Sequence, residues 1–258
     1  TLILIGIFYF ISALGSALAQ DPWVFAFFRF IGGLAIGAYT IAAPGYISEI
    51  APAQKRGRLV ALYQLNIVLG ILIAFLSNFL LSDLGENAWR WMLGVQVIPA
   101  LIYSSLVWTI PESPRWLLIR KKDEPAATKV FSLLNPESNA KEEIQTILHA
   151  QHSTAGKESI FMRTYRFPLM LAFLIAFFNQ LSGINAILYF APRIFQLTGL
   201  EEIAALLHTV RIGVTNLVFT FVALWLIDRL GRRTLLNIGS FGYIASLGLT
   251  SWAFFTEH

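Results

Sequence analysis

Residues 59–81 read L-V-A-L-Y-Q-L-N-I-V-L-G-I-L-I-A-F-L-S-N-F-L-L, and no charge interrupts them. At 1.5 Å rise per residue, a helix of this length covers about 34 Å, enough to cross roughly 30 Å of hydrocarbon. Six comparable runs lie around it: Leu2–Ala19, Trp23–Ile47, Trp91–Ile110, Pro168–Phe190, Ile203–Ile227 and Thr234–Phe255. Only Arg29 and Arg211 put a charge inside one of the seven. The whole chain of 258 residues is 56% hydrophobic and 13% charged, with a mean hydropathy of +0.64. That balance excludes a soluble globular enzyme. A formal charge of +4 supplies no basic stripe, which excludes nucleic acid as a partner. The absence of cysteine removes any disulfide framework or thiolate metal cage.

The first run has no basic segment before it and six more follow, so it is not a signal peptide. The chain enters that run directly from Thr1 and ends on Glu257 and His258 just after another, which suits a piece of a longer protein. Trp23, Trp89, Trp91 and Trp108 fall near span ends, where amphipathic rings favour the interface. Fifteen of the nineteen basic residues lie in three loops, 48–58, 111–167 and 228–233. With seven alternating spans these loops share one face, and the positive-inside rule assigns it to the cytoplasm of a multi-pass protein in the cell membrane.

The stretch 111–167 differs from its surroundings in carrying mixed charges and the breaker Asn135-Pro136. It reads as a helical cytoplasmic insert. Ser113 before Pro114 fits an N-cap with proline at the first helical position. Ala126, Ala127, Val130, Phe131 and Leu134 recur at helical spacing, and Glu142, Glu143, Ile144, Ile147 and Leu148 announce a further short helix. The expected division is therefore four spans in 1–110, the insert in 111–167 and three spans in 168–258.

Polar groups at bilayer depth are expensive and mark functional candidates. The richest group is N-Q-L-S-G-I-N at 179–185, with Asn179, Gln180, Ser182 and Asn185 around Gly183. The three amides do not share one face of a regular helix, but glycine permits a local break that brings them together. Ligand binding and hydrogen-bonded helix contacts both remain open for this cluster, while Gln64 and Asn216, as lone amides, favour helix contacts. At the basic face, Glu49 with Arg56, Glu112 with Arg115, and Asp228 with Arg229, Arg232 and Arg233 either mark loop ends or act as latches between conformations. No phosphate-cradling G-x-x-x-x-G-K, H-E-x-x-H or G-x-S-x-G occurs, and His149 and His152 read as solvated insert residues rather than metal ligands. Gly32, Gly33 and Gly37 read as close-packing positions within a span.

Seven strings in order, R-F-I-G-G (29–33), G-Y-I-S-E-I-A-P-A-Q-K-R-G (45–57), Q-L-N-I-V-L-G-I (64–71), W-R-W-M (89–92), P-E-S-P-R-W-L-L (111–118), N-Q-L-S-G-I-N (179–185) and D-R-L-G-R-R (228–233), resemble the sugar porter family of the major facilitator superfamily. The resemblance implies an all-α polytopic membrane protein with two six-helix bundles joined by the insert, this chain supplying the third to ninth helices. It also implies alternating-access transport of a hexose or pentose, as uniporter or proton symporter, with no cofactor. Gln64, Gln180, Asn185 and Asn216 resemble the amides that bond sugar hydroxyls in the central cavity, and Asn179 stands where glutamine is usual. Glu49, Arg56, Glu112, Arg115, Asp228, Arg232 and Arg233 match the family's cytoplasmic charge networks. Arg211 falls where a small residue is common. A carrier of another solute, such as an organic acid, and a nontransporting sugar sensor are the alternatives.

Overall fold

In a computed structural model, residues 1–51, 56–134, 144–149, 165–181 and 183–256 are described, and among them every regular element is helical. The helices are α1 (Leu2–Leu18), α2 (Pro22–Ile50), α3 (Arg56–Leu81), α4 (Ala88–Gly94), α5 (Val97–Thr109), α6 (Pro114–Trp116), α7 (Glu124–Leu134), α8 (144–149), α9 (Arg166–Leu181), α10 (Ile184–Leu197), α11 (Glu202–Leu230) and α12 (Arg232–Thr256). Five helical stretches among the described residues are long and apolar enough to cross a membrane: Pro22–Ile50, Gly57–Leu81, Ala88–Thr109, Arg166–Leu197 and Glu202–Ile227. The first expected span is a shorter apolar helix of 17 residues, and α12, with 25, can cross by length.

Two expected spans are broken rather than continuous. The run 91–110 divides into α4 and α5 at Val95 and Gln96. Pro99 explains the interruption, because it has no N–H to give the Val95 carbonyl and its ring crowds that position. The Val95 carbonyl is taken by the Ile98 N–H at 3.1 Å instead. The run 168–190 divides at Gly183, which adopts φ 77° and ψ 2°. That left-handed conformation favours glycine. Local signals elsewhere act as their chemistry dictates: Asp21 caps α2 by accepting from the Trp23 N–H at 2.7 Å, with Pro22 in the first turn.

The chain forms two compact units, Thr1–Gln64 with Leu76–Ser159, and Leu65–Phe75 with Ile160–His258. In the first, α1 packs on α2, α4 and α5. Between lipid-embedded helices apolar burial gives little drive, so small residues that let backbones approach become decisive. Gly32 is buried beneath the Ser12 side chain and Gly6 beneath Ser104 and Tyr103, while the half-buried Gly15 lies against the Phe28 ring. Gly33 and Gly37, expected to pack like Gly32, face open space because they lie on other sides of α2. Arg90 donates to the Ala17 carbonyl at 3.2 Å and lies over the Trp89 ring. A line of tyrosines crosses the same unit: Tyr39 of α2 contacts Tyr63 of α3 and Tyr103 of α5.

The insert has a small core of its own, Leu117, Leu118, Ala127, Phe131 and Ile144, flanked by Val130, Ile147 and Leu148. The expected apolar stripes of α7 and α8 are the ones buried. Asn135-Pro136, Glu142, Glu143 and His152 lie outside the described residues.

In the second unit α10 packs on α11, where Ala191, Ala205 and Thr209 are buried and the Phe195 ring meets His208 at 5.2 Å. Gly213 of α11 lies against Leu72 and Phe75 of α3, so a Cβ there would come within 3.3 Å of the Leu72 Cα. Large apolar side chains such as Phe219 and Phe241 remain exposed, as lipid permits.

Substituting Gly213 by valine should lower stability by about 1–3 kcal/mol, since the Phe75 ring, the Leu72 side chain and the Leu72 backbone all crowd the new atoms. Gly33→Ala should be neutral or mildly stabilising. Thermal unfolding of both variants in detergent, alongside the wild type, provides the comparison, and equal midpoints for all three would contradict the packing account.

Candidate functional site

The amide cluster is built by the break between α9 and α10. At Gly183 the chain leaves the helical path for one residue, its N–H reaching the Gln180 carbonyl at 3.5 Å, and α10 restarts with the Ile187 N–H on the Gly183 carbonyl at 3.1 Å. The turn brings together two side chains that a regular helix would separate. Asn185 donates its Nδ2–H to Gln180 Oε1 at 2.7 Å, and both side chains are exposed.

A carboxamide offers two donors and an acceptor with two lone pairs. After the mutual bond, the pair still presents both Gln180 Nε2 hydrogens, the second Asn185 Nδ2 hydrogen and the Asn185 Oδ1 acceptor. This is a mixed, uncharged donor and acceptor surface, suited to groups that both give and take a hydrogen bond. Hydroxyls are the simplest such groups.

Asn179 is exposed and adjoins the pair in sequence, and Ser182 lies outside the described residues. Asn216 is half-buried on α11 in the same unit, where its backbone carbonyl accepts from the Thr220 hydroxyl at 2.8 Å. No side-chain bond ties Asn216 to the Gln180–Asn185 pair among the described residues. Gln64 belongs to the first unit, exposed on α3 directly after Tyr63. Arg211 is exposed on α11, with its carbonyl accepting from Thr215.

A second cluster lies where α2 and α5 meet the insert. Ser113 caps α6 by accepting from the Trp116 N–H at 3.3 Å, with Pro114 at the first helical position as expected. The same hydroxyl donates to Glu49 Oε2 on α2. One turn earlier on α2, the Tyr46 hydroxyl donates to the Pro111 carbonyl at 2.7 Å. A cavity of about 490 Å³ opens here, with Tyr46, Glu49, Glu112 and Ser113 in its wall. A smaller one of about 200 Å³ has Glu49 and Arg115 on its lining together with Ser48, Phe131 and Ile147.

Glu112 pairs with Lys121 at 2.7 Å rather than with Arg115, three residues away. The physical reason is local. Glu112 precedes the helix, so helical i,i+3 geometry does not apply to it, while a π-helical turn at Leu117–Lys121 returns Lys121 toward it. Lys121 also lies over the Trp116 ring at 4.7 Å. Tyr46 and Lys121 were absent from the sequence candidates. Tyr46 is legible afterwards, since it shares the face of Glu49 at i,i+3; the π turn carries no such signal. Arg229 stacks over Trp225 at 4.0 Å, and Arg233 is exposed. The side chains of Arg56, Asp228 and Arg232 lie outside the described set. Arg29, the charge inside the run 23–47, is placed over the Phe25 ring at 5.8 Å.

Comparison with known proteins gives the family. The family model for "Sugar (and other) transporter" matches residues 1–258. The glucose transport protein of Synechocystis sp. is 36% identical over 98% of this chain and 57% of its own length. The D-xylose-proton symporter of Escherichia coli K12 is 34% identical, covering 90% of this chain and 48% of its own. Among solved structures, the partially occluded inward-open conformation of the xylose transporter from E. coli superposes with a TM-score of 0.78 at 30% identity, over 90% of this chain and 56% of that one. The chain thus spans about half the length of the curated relatives it matches. With its all-helical, membrane-crossing architecture, it belongs to the sugar porter family of the major facilitator superfamily.

Proposed function

We propose that the whole protein carries a monosaccharide across the cell membrane by alternating access, in symport with a proton. The observation that carries this reading is the broken α9–α10 helix, which presents Gln180 and Asn185 as an exposed, mutually bonded amide pair. Gln64, Asn179 and Asn216 complete the set that bonds sugar hydroxyls. A neutral polyol suits this chemistry, because each hydroxyl gives one hydrogen bond and accepts others without any charge to neutralise. Discrimination follows from the same groups: a substrate lacking a hydroxyl leaves a desolvated amide unpaired, at about 1–3 kcal/mol.

Relatives named as xylose, galactose and arabinose symporters with protons favour coupled transport over facilitated diffusion. In this reading residues 1–110 belong to one bundle, 168–258 to the other, and 111–167 form a cytoplasmic insert between them. Rocking of the bundles about a midplane site exposes the sugar to each side in turn. Glu49, Arg56, Glu112, Arg115, Asp228, Arg232 and Arg233 then act as the inner gate. The shared cavity of Glu49 and Arg115, and the bond from Ser113 to Glu49, support a gate whose charges are held near one another at the membrane end of the insert. Their contribution lies in the difference between conformations, since exposed ion pairs add little to stability.

Three expectations follow for the whole protein in liposomes. Gln180→Ala should raise the KM for labelled D-xylose, D-glucose or D-galactose, whichever is carried, by about 5- to 150-fold, the range that 1–3 kcal/mol allows; unaltered uptake would remove Gln180 from the site. Gly183→Ala places a Cβ on a left-handed residue, at about 1–2 kcal/mol of strain, and should weaken sugar binding although no side chain of residue 183 reaches the ligand. A protonophore should abolish accumulation of the sugar above its external concentration, and accumulation that survives it would exclude proton symport.

A further inference from the structure

Gln64 follows Tyr63 directly on α3, and Tyr63 is the point at which α3 meets the line of tyrosines. Tyr39 stands at its centre, with ring centroids 5.7 Å from Tyr63 and 6.0 Å from Tyr103, the latter edge-on at 83°. Tyr103 is itself anchored. Its hydroxyl reaches the Leu2 carbonyl of α1 at 3.5 Å, and its ring lies against Gly6. All four helices of this line, α1, α5, α2 and the start of α3, belong to one compact unit.

Successive residues of a helix point about 100° apart. Fixing the direction of Tyr63 therefore fixes the direction of Gln64, one step round the same helix. The Gln64 amide is exposed and engages no partner of its own among the described residues. Its aim thus depends on how α3 is rotated about its axis, and the Tyr39 ring opposes that rotation.

We infer that Tyr39 is a positioning residue for Gln64, holding through the Tyr63 ring the setting of α3 in which the amide meets a sugar hydroxyl. This rests on the sugar site proposed above. The ring, not the hydroxyl, does the holding, so phenylalanine should serve and small or aliphatic residues should not. A preorganised amide loses less orientational freedom when sugar binds, which is felt in affinity before turnover.

The test uses the whole protein in liposomes and labelled D-xylose and D-glucose. Tyr39→Ala, Tyr39→Leu, Tyr39→Phe, Gln64→Ala and the Tyr39→Ala/Gln64→Ala double variant are compared for KM and kcat, with Tyr39→Leu retaining apolar bulk should alanine prevent folding. The expected result is a KM raised about three- to tenfold in the alanine and leucine variants, the range that one aromatic pair supports. kcat should stay within about twofold, and Tyr39→Phe should restore the wild-type KM. The double variant should be no worse than Gln64→Ala alone, because the two changes act through one group. Additive losses, an unchanged KM, or a phenylalanine variant as impaired as alanine would overturn the positioning role while leaving the sugar site standing. A Gln64→Ala variant with wild-type KM would remove Gln64 from the site and the inference with it.

Discussion

A backbone amide or carbonyl left without a partner in hydrocarbon costs several kcal/mol. The interruption before Pro99 is a place where that demand is met by another route. At Pro99 the helix gives up a bond and the Val95 carbonyl finds the Ile98 N–H. At Gly183 the break is deeper, and a weak backbone contact is joined by a side-chain bond between Gln180 and Asn185. The polar residues of the fifth span are therefore concentrated where the backbone is least regular. The bond between the two amides joins side chains only, so it fixes their directions without satisfying the backbone groups that the break leaves open.

The alternation of long apolar runs with basic loops was legible because lipid imposes it on composition. Ser113-Pro114 announced its cap, Ala127 and Phe131 their buried stripe, and Gly183 the freedom to leave the helix. Other features were hidden for physical reasons. The α4–α5 division was passed over although Pro99 marks it in the sequence, because the length and hydropathy of the run 91–110 suit one continuous crossing. Among Gly32, Gly33 and Gly37, only the first meets a neighbour, and which side of α2 faces α1 is a tertiary fact. Glu112 and Arg115 were grouped as neighbouring opposite charges at one span end; the π turn instead delivers Lys121 to Glu112.

The group at the insert illustrates a separate limit on reading charge from sequence. Lys121 and Glu112 are each about half exposed, at 47% and 51% of the side chain, so their bond is screened and contributes at most about 1 kcal/mol. Ser113 is a more informative member. It accepts from the backbone of α6 and donates to the carboxylate of Glu49, so a neutral hydroxyl links the first turn of the insert to the end of a span. Such a group is invisible to a search for opposite charges, yet a displacement of Glu49 would be felt at the cap of α6.

The amides of the proposed site are aimed in two different ways. Gln180 and Asn185 hold each other, so each restricts the rotamers of its neighbour and leaves the remaining donors and acceptor turned outward. Gln64 has no such companion among the described residues, and in the inference above its direction is inherited from the backbone of α3 and hence from the contact of Tyr63 with Tyr39 of α2. The first arrangement tolerates movement of the surrounding helices, because the restraint travels with the pair. The second does not, since any turn of α3 carries the amide with it. An amide held by its own partner serves as a fixed contact, whereas one whose aim follows helix rotation is sensitive to conformation. The transport proposed above, in which a sugar is bound on one side and released on the other, would use both.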